Sequence, residues 1–391
     1  MAHDARHHAH EHHDDIIYPS AIPFVLLHLA CLGILWTGVS AWSLALCGSL
    51  YVVRMFGVTA GYHRYFSHRS YRTGRAGQLL LAVLCQTSAQ QGILWWASKH
   101  RDHHRHADTP EDVHSPRHAG FFFSHVGWIF SVKRGRADYS NIGDLTRFPE
   151  LVWLDRNKYL PAALLGVACW AFGGWEGLFV GFILSTVVLY HCTFAINSLA
   201  HVVGKQRYLT GDDSRNNWWL ALLTLGEGWH NNHHYYMSST RQGFRWWEID
   251  PTYYALRALS WTGLVYELRD PPPHVVTGER RAGRAVIEKV ARQLADSFPV
   301  DAISEQARAA WAHRPDFDEL RARALAARSQ AEAAWGEVHL PHVPTVDELR
   351  ERALEMFAHT PSLDEIAERS RQLILHAVSV RVFGDGDALP A

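Results

Sequence analysis

Charge is missing from long stretches of this 391-residue chain. No Asp, Glu, Lys or Arg occurs from Ala21 to Val53, from Tyr159 to Trp175, or from Gly177 to Val203. A helix needs about 20 mostly apolar residues to cross a bilayer, and each gap is that long or nearly so. Cysteine is scarce as well. Cys31, Cys47, Cys85, Cys169 and Cys192 include no CxxC pair and lie mostly in apolar segments. They read as small buried hydrophobes, which argues against a disulfide framework or a cysteine-held iron–sulfur centre. Excess positive charge is absent too: 38 Lys and Arg against 39 Asp and Glu leave a formal net charge of -1, so a nucleic-acid partner finds no support. The N-terminus lacks the basic region of a cleavable signal peptide. Its HHAHEHHDD stretch reads as a solvated, disordered tail over residues 1–18.

Histidine is what the chain has in quantity. Four clusters stand beside the apolar segments: HRYFSH from His63 to His68, HRDHH from His100 to His104, NSLAH ending at His201, and HNNHH from His230 to His234. Neutral imidazole is a good ligand for iron and similar metals. On a helix, residues three and four apart share a face. His100 and His104 can therefore reach one metal while His103 turns toward a neighbour. His230, His233 and His234 repeat the same offsets, which points to two metals. His63 and His68 are five apart at a helix end, where local geometry can bring both inward. Asn197 lies one turn before His201, placed to hold a metal-bound water. A structural zinc needs only four ligands and usually takes cysteine, and a zinc hydrolase needs about three ligands and a water. Nine imidazoles exceed both. His28, His191, His274 and His376 read as isolated histidines without such a role.

The first apolar block suggests two helices, about Ile22–Gly38 and Ala41–Gly61, turning at Thr37-Gly38-Val39-Ser40. Leu160–Phe172 and Leu178–Ala200, joined through Gly173–Gly177, suggest a second hairpin. The expected fold is thus an all-α integral membrane protein with four transmembrane helices in two hairpins beneath a cytosolic helical cap. Leu79–Ala97 carries several glutamines and reads as a buried or re-entrant helix rather than a fifth span. Arg69, Arg72 and Arg75 precede it, Lys158 precedes the second hairpin, and Lys205 and Arg207 follow it. These cations lie on the histidine side, so the positive-inside tendency places the site and both termini in the cytoplasm. The membrane domain is expected over 19–255, a linker over 256–279, and a soluble helical extension over 280–391, its last helix starting at Pro361 or Ser362.

These boxes resemble those of the membrane-bound fatty acyl-CoA desaturases of the stearoyl-CoA (delta-9) type. The context agrees: GVTAGYHR leads into the first box, DTPEDVHSP and FFFSHVGW follow the second, and GEGWHNNHH contains the last. The resemblance covers roughly Pro19 to Pro251. It implies a histidine-ligated centre of two Fe2+ ions using O2 as co-substrate. One iron takes the positions of His63, His68, His100, His104 and His234; the other takes His103, His201, His230 and His233, with a water at Asn197. No Glu stands at a ligand-like offset, and Glu227 is expected behind the ligands. The implied reaction inserts a cis double bond into a long-chain acyl-CoA. The resemblance also places Cys47 and Tyr51 at the closed end of a substrate tunnel, so that Tyr51→Ala would admit longer chains. Trp96 is expected to line or support it.

The chain has no HPGG haem signature and no GxGxxG nicotinamide site. Electrons are therefore expected from a separate donor, such as a ferredoxin or cytochrome with its reductase. An acyl-lipid desaturase is the competing enzyme, with a hydroxylase or alkane monooxygenase behind it. A membrane metal-binding or sensor protein would bind metal without O2-dependent turnover.

Overall fold

The computed structural model describes residues 18–131, 137–312, 318, 321–322, 325 and 341–384. The tail expected before residue 18 lies outside them. The chain divides into two compact units, one ending at Thr277 and the other starting at Gly278.

In the first unit, the 27-residue helix Ala41–Ser67 and the 42-residue stretch Leu160–His201 are long and apolar enough to cross a membrane. Both support membrane association. Ser40 caps the first of them: its side chain accepts from the Ser43 N–H, and the Ser43 hydroxyl accepts from the Ser40 N–H in return. The second is interrupted at Gly174, where φ 58° and ψ -155° leave the helical region and suit a residue without Cβ. The expectation of four spans in two hairpins is corrected here. Among the described residues two helices meet the length and hydropathy of a span, not four. Ala21–Thr37 is apolar but shorter. Its 17 residues rise about 25 Å at 1.5 Å each, less than the roughly 30 Å of a hydrocarbon core.

Both long helices contain π-helical turns, Gly57–Ser67 and Gly177–Leu184. Such turns are rare and recur at functional sites. Between them lies Arg54, 1% exposed. It donates to Thr186 Oγ1 at 2.6 Å and to Ser185 Oγ, and so joins the two helices through hydroxyls.

The segment expected as one buried helix over Leu79–Ala97 is two helices, Arg75–Gln86 and Ile93–His106. The break between them carries Ala89 and Gln91 at positive φ. Of the expected linker 256–279, residues 256–277 are instead folded into the first unit. Leu256 is buried in its core, Val265 and Tyr266 pair antiparallel with Thr73 and Arg72, and Val275 is buried with Tyr208 and Phe244. Its apolar positions have partners far back in the sequence, which local composition does not reveal.

The second unit is helical. Arg284–Asp296, Val300–Ala312 and Val346–Met356 pack on the long helix Leu363–Phe383, which Ser362 precedes. Thr345 and Glu348 close a reciprocal cap on the third of these.

Candidate metal centre

The π-helical turn explains the first histidine box. In an α-helix a five-residue spacing splays two side chains apart; in a π-turn residue i+5 stacks over residue i. The His68 N–H donates to the His63 carbonyl at 3.2 Å, and the two rings lie 4.9 Å apart. The second box rides on Ile93–His106, the third ends Leu160–His201, and the fourth forms the short helix His230–Tyr235.

All nine sequence-predicted histidines come together, in two pockets. His63, His68, His100, His104 and His233 form one; His103, His201, His230 and His234 form the other, with ligand atoms in each pocket within 4.8 Å of one another. This departs from the expected partition at two residues, because His233 joins the first pocket and His234 the second. The cause is helical geometry. His230 and His234 are one turn apart and share a face, as His100 and His104 do, while the i+3 residue of each box faces the other pocket.

The nitrogens converge in a way hydrogen bonding alone cannot satisfy. In the first pocket Nε2 meets Nε2 at 2.9 Å for His63–His233, 2.8 Å for His68–His100, 3.0 Å for His100–His104 and 2.9 Å for His104–His233. In the second, His201 and His230 meet at 3.1 Å, and the buried His234 Nε2 has no partner. Four of the rings turn Nδ1 to a carboxylate: His63 to Glu227, His103 to Asp112 at 3.1 Å, His201 to Asp108 at 2.8 Å and His234 to Asp212 at 2.9 Å. A neutral ring that donates from Nδ1 offers only a lone pair at Nε2. Ring nitrogens converging to about 3 Å can turn their lone pairs to a shared cation, and the carboxylates behind four of the rings fix the tautomer and orientation of those four. The donor set fits two nitrogen-bound metals and is consistent with a diiron site.

The electrostatics agree. Burial, reinforced by the neighbouring imidazoles, holds His68, His100, His104, His230 and His233 well below the ordinary 6.5, so they stay neutral and available as ligands. Burial alone would raise the acids. For Asp108, Asp112, Asp212 and Glu227 the facing histidines outweigh it and the carboxyls stay ionised.

Behind Glu227 stands Arg64, 1% exposed, which donates to Glu227 Oε1 at 3.1 Å and to Asp250 at 3.0 Å. Gln242 Nε2 lies 3.2 Å from both His63 Nδ1 and Glu227 Oε2. Sequence reasoning anticipated Glu227 and missed Asp108, Asp112, Asp212, Arg64 and Gln242. Asp108 and Asp112 sat inside the noted DTPEDVHSP motif, and their spacing from the second box was the available signal.

A cavity abuts the metal pockets. Phe24, Leu27, Tyr190 and Phe194 line it in company with Trp96, His100, His103 and Asn197. Trp96 stacks on His100 at 4.9 Å and on Tyr62 at 5.2 Å. Asn197 thus reaches the cavity that the metal pockets share. Cys47 and Tyr51 are not among the lining residues, and the Tyr51 hydroxyl donates to the Leu223 carbonyl at 2.6 Å.

This fold and donor set are those of a membrane oxidoreductase class. The fatty acid desaturase family model matches residues 40–267, and the chain belongs to that family. It is 40% identical over 256 residues to an acyl-CoA 5-desaturase of Anemone leveillei, covering 63% of this chain and 77% of that one. An sn-1 stearoyl-lipid 9-desaturase of Synechocystis is 34% identical over 64% of this chain and 79% of its own. A chloroplastic palmitoyl-monogalactosyldiacylglycerol delta-7 desaturase of Arabidopsis thaliana is 38% identical over 57% of this chain and 61% of its own. Acyl-CoA and acyl-lipid desaturases stand side by side among these relatives, so similarity does not select one carrier.

Proposed function

We propose that this chain inserts a cis double bond into a saturated long-chain fatty acyl group, with two irons in the histidine pockets. The observation that carries this is the pair of imidazole pockets beside a cavity walled in part by Phe24, Leu27, Tyr190 and Phe194. His63, His68, His100, His104 and His233 hold one iron; His103, His201, His230 and His234 hold the other, with Asn197 positioned for a bound water. The irons supply O2 activation when bound, and two electrons and two protons balance the reduction of O2 to two waters as two hydrogens leave the acyl chain. Everything else falls to the protein. Methylene groups offer no charge to grip, so Phe24, Leu27, Tyr190 and Phe194 place the chain by shape and exclude water. Trp96, stacked between Tyr62 and His100, fixes the wall next to the metal ligands.

We assign the substrate as an acyl-CoA and the bond position as delta-9, the reading carried by the sequence motifs; an acyl-lipid substrate is the alternative that the relatives support. The two electrons come from a separate one-electron donor. The cations Arg69, Arg72, Arg75, Lys158, Lys205 and Arg207 favour a cytoplasmic histidine face. Membranes containing the iron-loaded protein, a working electron supply and deuterated stearoyl-CoA test this, with His233→Ala as control. A labelled C18 monounsaturated product absent from the control is expected, and its derivatised mass spectrum locates the bond. Label appearing only after incorporation into phospholipid transfers the assignment to acyl lipid. A hydroxylated product overturns desaturation.

A further inference from the structure

The helix Trp218–Leu223 wears its apolar residues on the outside. Leu220 and Ala221 are buried against the first unit, whereas Trp218, Trp219, Leu222 and Leu223 are 65%, 39%, 46% and 48% exposed. From Asn216 to Gly226 there is no charged residue. Val202 and Val203, directly beyond the end of Leu160–His201, are 49% and 44% exposed. Exposed apolar side chains gathered in this way are costly in water and mark a contact surface.

Its attachments say what covers it. Asn217 Nδ2 donates to the Val203 carbonyl at 3.3 Å, at the end of one membrane-crossing helix. The Leu223 carbonyl accepts from Tyr51, within the other. The short helix is therefore fastened at its start to one span and at its end to the second. Lys205 and Arg215 flank the patch in sequence, as cations do where apolar surface meets lipid headgroups. Tryptophan is enriched at that boundary.

We propose that Trp218–Leu223, with Val202 and Val203, is a further, non-spanning membrane contact, seated in the bilayer at the boundary of acyl chains and headgroups. The contact sets the level of the metal centre. The chain runs from Leu223 through Gly226 and Glu227 into His230. At Gly228 an added Cβ would meet the Ala221 nitrogen at 2.1 Å and the Asn217 carbonyl at 2.4 Å, so the last histidine box packs on this helix with no spare room. Seating the helix in lipid holds His230, His233 and His234 at a fixed height above the membrane, beside the cavity an acyl chain enters.

The test uses the intact iron-loaded protein in nanodiscs of phosphatidylcholine with phosphatidylglycerol, a fraction of the phosphatidylcholine carrying a diazirine on its acyl tail. After photolysis, peptides are mapped by mass spectrometry, and hydroxyl-radical footprinting is run on the same sample. Lipid adducts are expected on the peptide covering 216–225 as well as on the two spans, with Trp218 and Trp219 protected from hydroxyl radicals. Adducts on the spans with none on 216–225 overturn the proposal. Protection of the tryptophans without lipid adducts means that protein, such as a second copy, covers the face, and also overturns it. Trp218→Lys is expected to reduce adducts on 216–225 severalfold while leaving those on Ala41–Ser67 unchanged; equal labelling counts against the assignment. Neither readout depends on turnover, so it stands or falls apart from the substrate assignment.

Discussion

His63 turns one ring nitrogen to Glu227 and the other to His233, whose Nε2 lies 2.9 Å away. One imidazole thus joins a π-helical turn, a loop carboxylate and the last histidine box. Glu227 in turn is held by Arg64, which also holds Asp250.

Glu227→Gln keeps the shape and removes the charge that orients His63. Changing a partner behind a metal ligand typically costs 10–100-fold in metal affinity or activity. The variant is expected to fold, judged by an unchanged circular dichroism spectrum, and to lose iron about 10-fold more readily to a chelator. Wild-type iron retention would show that His63 needs no carboxylate behind it.

The pocket assignment separates two adjacent histidines. His233→Ala removes a ligand from the five-histidine pocket and His234→Ala one from the four-histidine pocket. In 57Fe Mössbauer spectra the two variants are expected to deplete different iron sites. Loss of the same component in both would return His233 and His234 to a shared pocket.

Much of this centre was legible in the sequence. The HRDHH offsets already placed His100 and His104 on one face with His103 turned away. The same rule applied to HNNHH pairs His230 with His234, as observed; carrying ligands across by family position had overridden it. The π-turn beneath HRYFSH was not legible, because no local preference announces an i+5 ladder. The carboxylates divide the same way. Glu227 sits within the last box motif, whereas Asp212 reaches His234 from a loop 22 residues earlier. The span count falls from four to two at two places: Ala21–Thr37 lacks charge but also lacks length, and the expected pair Leu160–Phe172 and Leu178–Ala200 lies in the single stretch Leu160–His201. The fold of 256–277 escaped because its strand partner, Arg72–Thr73, is nearly two hundred residues away.

Asp144 accepts from Arg69 Nε at 2.9 Å and from Arg101 Nη1 at 2.8 Å, and Arg101 also holds the Ser67 and Phe66 carbonyls. The two arginines neighbour His68 and His100, so this carboxylate clamps the end of the π-turn to the second box. Partial burial would raise its pKa, but Arg101 and Arg69 outweigh it and hold it below the ordinary 3.8. A depressed carboxylate stabilises the fold above its unfolded value and loses that contribution as pH falls through the folded one. Asp144→Asn is therefore expected to lose about 1 kcal/mol at neutral pH, the upper end for a partly exposed pair. The difference from wild type should shrink below about pH 3.8. A gap that persists into strong acid would mean that packing, not charge, is what Asn disturbs.

Chain-length selection is expected to follow the cavity wall rather than Tyr51. Phe24 lines the cavity and stacks near Tyr190, with ring centroids 5.9 Å apart, while Tyr51 spends its hydroxyl on the Leu223 carbonyl. Phe24→Ala opens space beside the acyl chain, and the products are expected to shift toward longer chains in gas chromatography of membrane fatty acids. Tyr51→Phe removes the hydroxyl without touching the wall, so chain length is expected to stay as in wild type while thermal stability falls by about 1 kcal/mol for the lost hydrogen bond. The reverse pattern, with selectivity altered in Tyr51→Phe and unaltered in Phe24→Ala, would move the closed end of the substrate path to the span Ala41–Ser67 and away from this cavity.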